Sequence, residues 1–304
     1  MRVASIDIGT NSILMTIAEI DRSGDIKPLF TKVEEPRLGR GLLKTKIISE
    51  SAIEDAVRVL DNFKKTMQNE AVQSIIPFGT EVFRKAKNAP QVVSILSNSI
   101  GHSVRILTPK EEAYFSYLGS TLGLDHSAEK CVFDVGGGST EIIWGSTNLL
   151  DSMSIPIGAV VLTEKMDLIA PFSIAQLNEV RKLVDLELQV IPKNAFKKNP
   201  IGVGGSITTL GAIFNNLSEY IPEKVHHSTL DLNWITRTID SLALKSQNQI
   251  GKIIAFAPKR ATILPAGAII IERFLMRGTS SSVIISDWGA RIGILISEVL
   301  FAKL

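Results

Sequence analysis

Apolar positions gather into short blocks over the first third of the chain. Residues 2–8 ("RVASIDI") form one run ending at Gly9. Residues 12–20 form a second, and residues 25–36 a third, after a turn at Asp21–Gly24. The runs are rich in β-branched side chains and read as three strands, the third antiparallel to the second. Gly39, Gly41 and neighbouring basic residues make a loop. Ile48, Ala52, Ala56, Val59, Leu60 and Phe63 recur at helical spacing and predict an amphipathic helix over 47–68. A strand over 71–78, helices over 80–87 and 90–99, a strand over 103–107 and a helix over 109–122, opened by Pro109, complete this stretch.

The order then restarts. Residues 130–158 read as strand, glycine turn, strand, turn, strand. A helical pattern follows near 174–189, then a strand at 200–205 leading into a helix over 206–216. Further helices are predicted over 232–243 and 258–277, a last strand near 281–289, and a closing helix over 289–301. A repeated order of elements predicts a duplicated α/β fold. The expectation is two RNase H-like domains, residues 1–123 and 124–304, with the active site in the cleft between them. The closing helix, 289–304, could pack back on the first domain.

Composition narrows the class. The 304 residues are 45% hydrophobic and carry a formal net charge of +2. That balance demands neither nucleic acid nor a membrane surface, although local basic clusters could still hold an anion. The single cysteine, Cys131, lies in a strand-like apolar run, which fits a buried thiol and a reducing compartment. The apolar stretch 261–271 is bounded by Arg260 and Glu272 and is too short to span a bilayer. No signal-peptide pattern opens the chain. These features read as a soluble cytoplasmic protein.

The chemistry concentrates at three glycine turns. "SIDIGTNS" (5–12) and "VFDVGGGSTE" (132–141) share the frame strand, Asp, Gly, polar residues, strand. Such turns direct several backbone N–H groups to one point, which suits an anion. Asp7 and Asp134 end the two strands; each is either a turn cap or a residue that holds a metal or positions water. Gly136, Gly137 and Gly138 carry an entropic cost that a simple hairpin does not require. "IGVGGSITTLG" (201–211) leads into a helix N-terminus, also suited to phosphate. Glu141 is either an edge charge or part of the site. Glu111 and Glu112 fit first-turn acids stabilised by the helix dipole. Arg84, with Thr80, Lys85 and Lys87, either grips a polyanion or forms a solvated face. Asp287 fits a helix N-cap, and Lys193, Lys197 and Lys198 do not stand out from ordinary surface. His226 and His227 lack zinc-ligand spacing. Neither a Walker A pattern nor a dinucleotide fingerprint is present.

Taken in order, "SIDIGTNSILM", "GTEVFRKAKN", "LTPKEEAYFSYLG", "CVFDVGGGSTEIIWG", "IPIGAVVLTE", "GVGGSITTLGAI", "RATILPAGAIIIERFL" and "ISDWGARIG" resemble the exopolyphosphatase and guanosine pentaphosphate phosphohydrolase (Ppx/GppA) family over essentially the whole chain. The resemblance implies the actin-like, sugar-kinase-like and Hsp70-like duplicated fold. It implies release of orthophosphate from the end of inorganic polyphosphate, or conversion of guanosine pentaphosphate to the tetraphosphate. Mg²⁺, or Mn²⁺, is the implied metal and K⁺ an implied activator. By resemblance Glu112 is the base that activates water, Glu141 a second essential carboxylate, and Arg84 a phosphate-binding arginine. Asp7 and Asp134 are the metal-associated pair. Asn11, Ser12, Gly136, Gly137, Gly138, Ser139, Gly204, Gly205 and Ser206 form the phosphate cradle. A homodimer is expected because relatives commonly dimerise; the stretch 261–271 could serve that contact or be a buried helix.

Three departures bear on substrate range: Leu107–Thr108–Pro109 where the family has Ile-Ser-Gly, Gly79–Thr80–Glu81 before the arginine, and Ile292 in place of a glutamate. Longer relatives carry further C-terminal helical domains, so lower processivity is expected of this chain. The competing classes are an actin-like kinase or ATPase and a non-catalytic regulatory protein that binds phosphate or nucleotide.

Overall fold

The computed structural model describes residues 1–21, 25–125, 129–146 and 149–301; residues 22–24 of the expected turn lie outside them. The chain divides into two compact units, one comprising Met1–Gly119 and the segment from Ala290, the other Ser120–Gly289. The boundary falls at Gly119 rather than at 123, and the closing helix groups with the first unit.

The first unit runs β1 (Arg2–Ile8), β2 (Ile13–Ile20), β3 (Ile26–Glu34), α1 (Leu42–Thr45), α2 (Glu50–Asn69), β4 (Ser74–Gly79), α3 (Glu81–Lys85), α4 (Ala89–Ile100), β5 (Arg105–Ile106) and α5 (Pro109–Thr121). Its sheet has the order β3-β2-β1-β4-β5. β1 is antiparallel to β2 and parallel to β4, and β2 is antiparallel to β3. As the central strand, β1 buries Ala4, Ile6 and Ile8 on one face and Val3 and Ser5 on the other, as a strand covered on both faces must. Two elements begin later than their apolar pattern. α2 starts at Glu50 because Ser49 caps it, its Oγ accepting from Ala52 N–H at 3.4 Å. β4 starts at Ser74 because Ala71 takes φ +51° in the turn after α2.

The second unit runs β6 (Lys130–Val135), β7 (Thr140–Ser146), β8 (Leu149–Ile155), α6 (Ala159–Lys165), α7 (Ile174–Leu188), β9 (Ile201–Val203), α8 (Gly205–Phe214), α9 (Pro222–Val225), β10 (Thr229–Asp231), α10 (Leu232–Ala243), α11 (Gln247–Ile253), α12 (Leu264–Arg277) and β11 (Ser282–Ile285). Its sheet has the order β10-β11-β9-β6-β7-β8. The strands β8-β7-β6-β9-β11 reproduce the order and directions of β3-β2-β1-β4-β5. β10 is an added edge strand, antiparallel to β11.

α6, α9, β10 and α11 have seven residues or fewer, too few to set up a recognisable period. The helix expected over 258–277 breaks at Ile263, where a 3₁₀ turn over Pro258–Thr262 gives way to α12. The apolar stretch within 261–271 is core: Leu264 to Ile271 are all buried, so it offers no surface for a dimer contact. Glu272, next in line, is 1% exposed and takes a two-pronged contact from Arg181 of α7, at 2.8 and 2.9 Å. Cys131 is fully buried, and burial pushes its thiol pKa up to about 12. Among the described residues no helix is long and apolar enough to cross a membrane.

The last helix, α13 (Ala290–Phe301), lies against β1 and β2 of the first unit. Ile292, where a glutamate was expected from the family pattern, is completely buried. Gly293 faces the backbone of α5, and a β-carbon there would collide with the carbonyl of Phe115. Backbone cannot yield as a side-chain tip can, so only glycine allows α13 to approach the helix that carries Glu111 and Glu112.

An exposed helical Gly→Ala exchange stabilises by up to about 1 kcal/mol. At position 293 the sign is expected to reverse: Gly293→Ala should lose about 1–3 kcal/mol in urea unfolding, as overpacking does. Gly251→Ala is the control. A β-carbon there meets atoms no closer than 3.8 Å, and its stability should hold or rise.

Candidate active site

In the first unit, β1 delivers Asp7, half-buried, to the start of a closed turn. Gly9 N–H donates to Ser12 O at 3.0 Å, which folds Thr10 and Asn11 outward. Asn11 Nδ2 donates to Ser12 Oγ at 3.2 Å. The loop after β3 braces the turn: Gly39 N–H donates to Thr10 O at 2.7 Å and Arg37 N–H to Asn11 O at 3.0 Å.

Beside β1, β4 leads into α3, which carries Arg84. Arg84 Nη1 lies 2.8 Å from Glu112 Oε2 in an ion pair and donates to Leu107 O at 2.8 Å. Both contacts use Nη1, so neither occupies the Nε–Nη2 edge, the fork suited to two phosphate oxygens. Lys85 pairs with Glu81 at 2.5 Å.

α5 separates its two acids. Thr108 caps the helix: Glu111 N–H donates to Thr108 Oγ1 at 3.2 Å, and Glu111 Oε2 accepts from Thr108 N–H and Thr108 Oγ1, both at 2.8 Å. This is a capping box with Pro109 at the first helical position. Arg105 pairs with the other oxygen of Glu111. The Thr108 backbone bond, aided by the Thr108 hydroxyl and by Arg105, holds the Glu111 carboxyl below its ordinary pKa. Glu111 is thus committed to the helix start, while Glu112 faces Arg84. The Leu107–Thr108–Pro109 departure supplies the cap, the proline and the carbonyl that holds Arg84.

The second unit repeats the turn. Asp134 is half-buried on β6, and Gly136 N–H donates to Ser139 O at 3.0 Å, the same bond at the same length as in the first turn. The start of α6 braces it: Ala159 N–H donates to Gly136 O at 2.9 Å, and Val160 N–H to Gly137 O at 2.9 Å. Glu141 is opposite Asp134 in the β6–β7 register. It is 4% exposed, and its Oε1 accepts from Ser139 Oγ at 2.6 Å and Ser154 Oγ at 2.8 Å. β7 lies between β6 and β8, so Glu141 is an interior carboxylate and not an edge charge. Gly204 caps α8 with φ +98°; a β-carbon there would stand 2.6 Å from Val135 O and 3.0 Å from Asp134 Oδ1. The third glycine turn therefore packs directly on the second, with Gly204 against Asp134 and Val135 and with buried Ser206 two residues on.

Two Asp–Gly–Ser turns of one geometry, in sheets of one strand order, match a known pattern. Residues 16–302 match the profile of the Ppx/GppA phosphatase family. The chain belongs to the Ppx/GppA phosphatase family.

A crystal structure of the Aquifex aeolicus member of that family is similar at 32% identity and a TM-score of 0.82, covering 100% of this chain and 99% of that one. Exopolyphosphatase 2 of Mycobacterium tuberculosis is 26% identical over 89% of each chain. A bifunctional 3-dehydroquinate synthase/phosphatase of Fusobacterium nucleatum is 28% identical over 97% of this chain, which spans 46% of that longer protein. The fold is that of the Ppx/GppA family, of the actin- and Hsp70-like ATPase class.

Several residues of this Ppx/GppA chain gain a place only in the structure. Arg260 lays its guanidinium over Gly205, where a β-carbon would collide with it; the spacing of "RATILPAG" gave no hint of that. A cation over a helix N-terminus faces the positive end of the dipole. Gly158 leaves no room for a β-carbon, which would stand 2.6 Å from Gly137 O. Thr108 and Glu111, by contrast, show the Thr-x-x-Glu capping signature in sequence. Asp287 accepts from Tyr220 OH, and its N–H donates to His226 Nδ1 at 3.2 Å. His226 stacks between His227 and Trp288, at centroid distances of 3.8 and 4.1 Å. Lys197 pairs with Glu129 at 2.5 Å.

Among the described residues no group of three or more His, Cys, Asp or Glu side chains gathers as an all-protein metal cage. Mg²⁺ is commonly held by one or two carboxylates, with substrate phosphates and water completing its shell. Asp7 and Asp134 each supply a hard oxygen donor of the type Mg²⁺ takes, at the head of a glycine turn in their own unit.

Glu111 sets a pH dependence of stability. Its folded pKa is lowered, so its contribution is present above its unfolded value and is lost as pH falls through the folded one. Glu111→Gln keeps the capping box but removes the charge at the helix start and its pair with Arg105, so stability at neutral pH should fall by about 0.3–1 kcal/mol, and the gap to wild type should close below roughly pH 4. Urea unfolding of both proteins across that range measures it.

Proposed function

We propose that this family member is an exopolyphosphatase, which hydrolyses the terminal phosphoanhydride bond of inorganic polyphosphate and releases orthophosphate. Guanosine pentaphosphate, losing its terminal 5′-phosphate, is the second substrate of the reading. The observation that carries it is the Arg84–Glu112 pair, held in place by a helix whose other acid is committed to the cap. A finer description of the fold, a duplicated RNase H-like architecture, belongs to the same proposal and is supported by the common strand order of the two sheets.

The substrate is a dense polyanion, so its charge must be offset before a carboxylate can act on it. The Asp7–Ser12 and Asp134–Ser139 turns, with Gly204, Gly205 and Ser206, offer backbone N–H groups and hydroxyls to phosphate oxygens. Arg84 offers the fork edge that Glu112 and Leu107 leave unused. Arg260 lies over Gly205 and sets a guanidinium beside the third glycine turn. Asp7 and Asp134 are the proposed carboxylates for Mg²⁺ or Mn²⁺, which would supply charge neutralisation and polarise water; K⁺ is a proposed activator. Glu112, paired with Arg84, takes the proton from water as the water oxygen bonds to the terminal phosphorus. The phosphorus–oxygen bond to the chain breaks and the shortened chain leaves with that electron pair. Glu141, fixed by Ser139 and Ser154, holds the second turn in shape and is the proposed second essential carboxylate.

Glu112→Gln keeps size and one oxygen but cannot take the proton, and kcat on polyphosphate should fall about 10²–10⁴-fold with binding largely kept. Glu111→Gln, the control, should change kcat far less. Assays with polyphosphate, guanosine pentaphosphate and ATP side by side set the substrate class: turnover of ATP far above polyphosphate would favour the kinase or ATPase reading, and binding without turnover a regulatory one. Activity unchanged in excess EDTA would remove the metal from the scheme.

A further inference from the structure

We infer that the loop 36–49, together with residues 85–88, forms a second polyanion subsite on the first unit, which holds the body of a long polyphosphate chain beyond the Asp7–Ser12 turn. The identity of the polyanion rests on the exopolyphosphatase reading; the subsite itself rests on charge and connectivity. Residues 36–49 contain Arg37, Arg40, Lys44 and Lys46 and no acidic residue, and residues 82–90 contain Arg84, Lys85 and Lys87 and no acidic residue. These segments are distant in sequence but adjoin in space. Lys87 N–H donates to Lys46 O at 2.8 Å, and Asn88 clasps Ile48 with both ends of its amide, at 2.9 and 3.0 Å. At its other end the loop is bonded to the turn itself, through Gly39 to Thr10 and Arg37 to Asn11.

The segments that carry these cations are therefore hydrogen-bonded to each other and to the turn. Arg40, Lys44, Lys46, Lys85 and Lys87 are all exposed. The acids at the margins are Glu34 and Glu35 at the end of β3, Glu50 at the start of α2, and Glu81, which already pairs with Lys85. Arg37 and Lys46 both sit at φ +57°, a left-handed conformation that side-chain-bearing residues seldom adopt. A fixed row of like charges gathers counterions, and a linear polyanion that displaces them binds with a salt-dependent gain. A terminal phosphate needs only the turn, whereas a long chain can reach the row. The row would therefore set chain-length preference.

The test is equilibrium binding of end-labelled long-chain polyphosphate, tripolyphosphate and a single-stranded RNA to the full chain, over a series of salt concentrations. The variant is Arg40→Ala/Lys44→Ala/Lys46→Ala/Lys87→Ala. The control, Lys182→Ala/Lys193→Ala/Lys224→Ala/Lys252→Ala, removes the same charge from exposed positions of the second unit. The expected result is a rise in Kd for the long chain of about tenfold or more. The slope of log K against log salt should become shallower by roughly 0.7–0.9 for each lost phosphate contact. The ratio of long-chain to tripolyphosphate affinity should fall in the variant and hold in the control. Three results would overturn the inference: an unchanged ratio in the variant, an equal loss in the control, or RNA bound as tightly as polyphosphate. Failure of the exopolyphosphatase reading is separately visible, as absence of orthophosphate release while long-chain binding persists.

Discussion

The closing bond of the glycine turn, Gly9 N–H to Ser12 O and Gly136 N–H to Ser139 O, is the constraint on which the site depends. Both are 3.0 Å long. Each turns the chain sharply at the end of a central strand that carries an aspartate two residues before the turn glycine. So tight a turn admits no bulk beside it. Gly39 and Gly158 lie against the turns where a β-carbon would strike Thr10 in one case and Gly137 in the other. The segments carrying those glycines donate N–H groups to the turn carbonyls, so each turn is held by its own chain before any ligand arrives. Pre-formed donors of this kind stabilise developing charge without reorganisation during the reaction.

The helix α5 solves a second problem, how to aim one of two adjacent carboxylates. Thr108 and Glu111 satisfy each other across the capping box, and Arg105 holds the remaining oxygen of Glu111. The next residue, about 100° further around the axis, meets Arg84. Arg84 is itself oriented by Leu107 O, one residue before the cap. The Thr108–Glu111 cap, Glu112 and Arg84 thus form one linked group, and Gly293 of α13 fixes its distance from the rest of the unit by backbone contact with Phe115. Loss of a cap would normally register as a small stability change. Here it would also loosen the aim of Glu112.

The sequence by itself determined the strands that begin each unit, the helix opened by Pro109 and the two Asp–Gly–Ser turns. Short apolar runs rich in β-branched side chains and glycine at sharp bends are local requirements and are visible in any chain that meets them. The repeat could also be read, because both units must build the same turn from the same residue types. Thr108 and Glu111 carried a capping signature that was there to be read. Tertiary structure alone decided which acid faces Arg84, since adjacent residues on a helix look alike until a neighbour is placed beside them. It alone turned the apolar stretch around 264–271 into buried core, because burial depends on what covers a helix and not on its own pattern. It alone put Arg260 over Gly205, His226 between His227 and Trp288, and the cations of 36–49 beside those of 85–88. Those pairs are separated by tens of residues or depend on side-chain direction, and no local propensity encodes either.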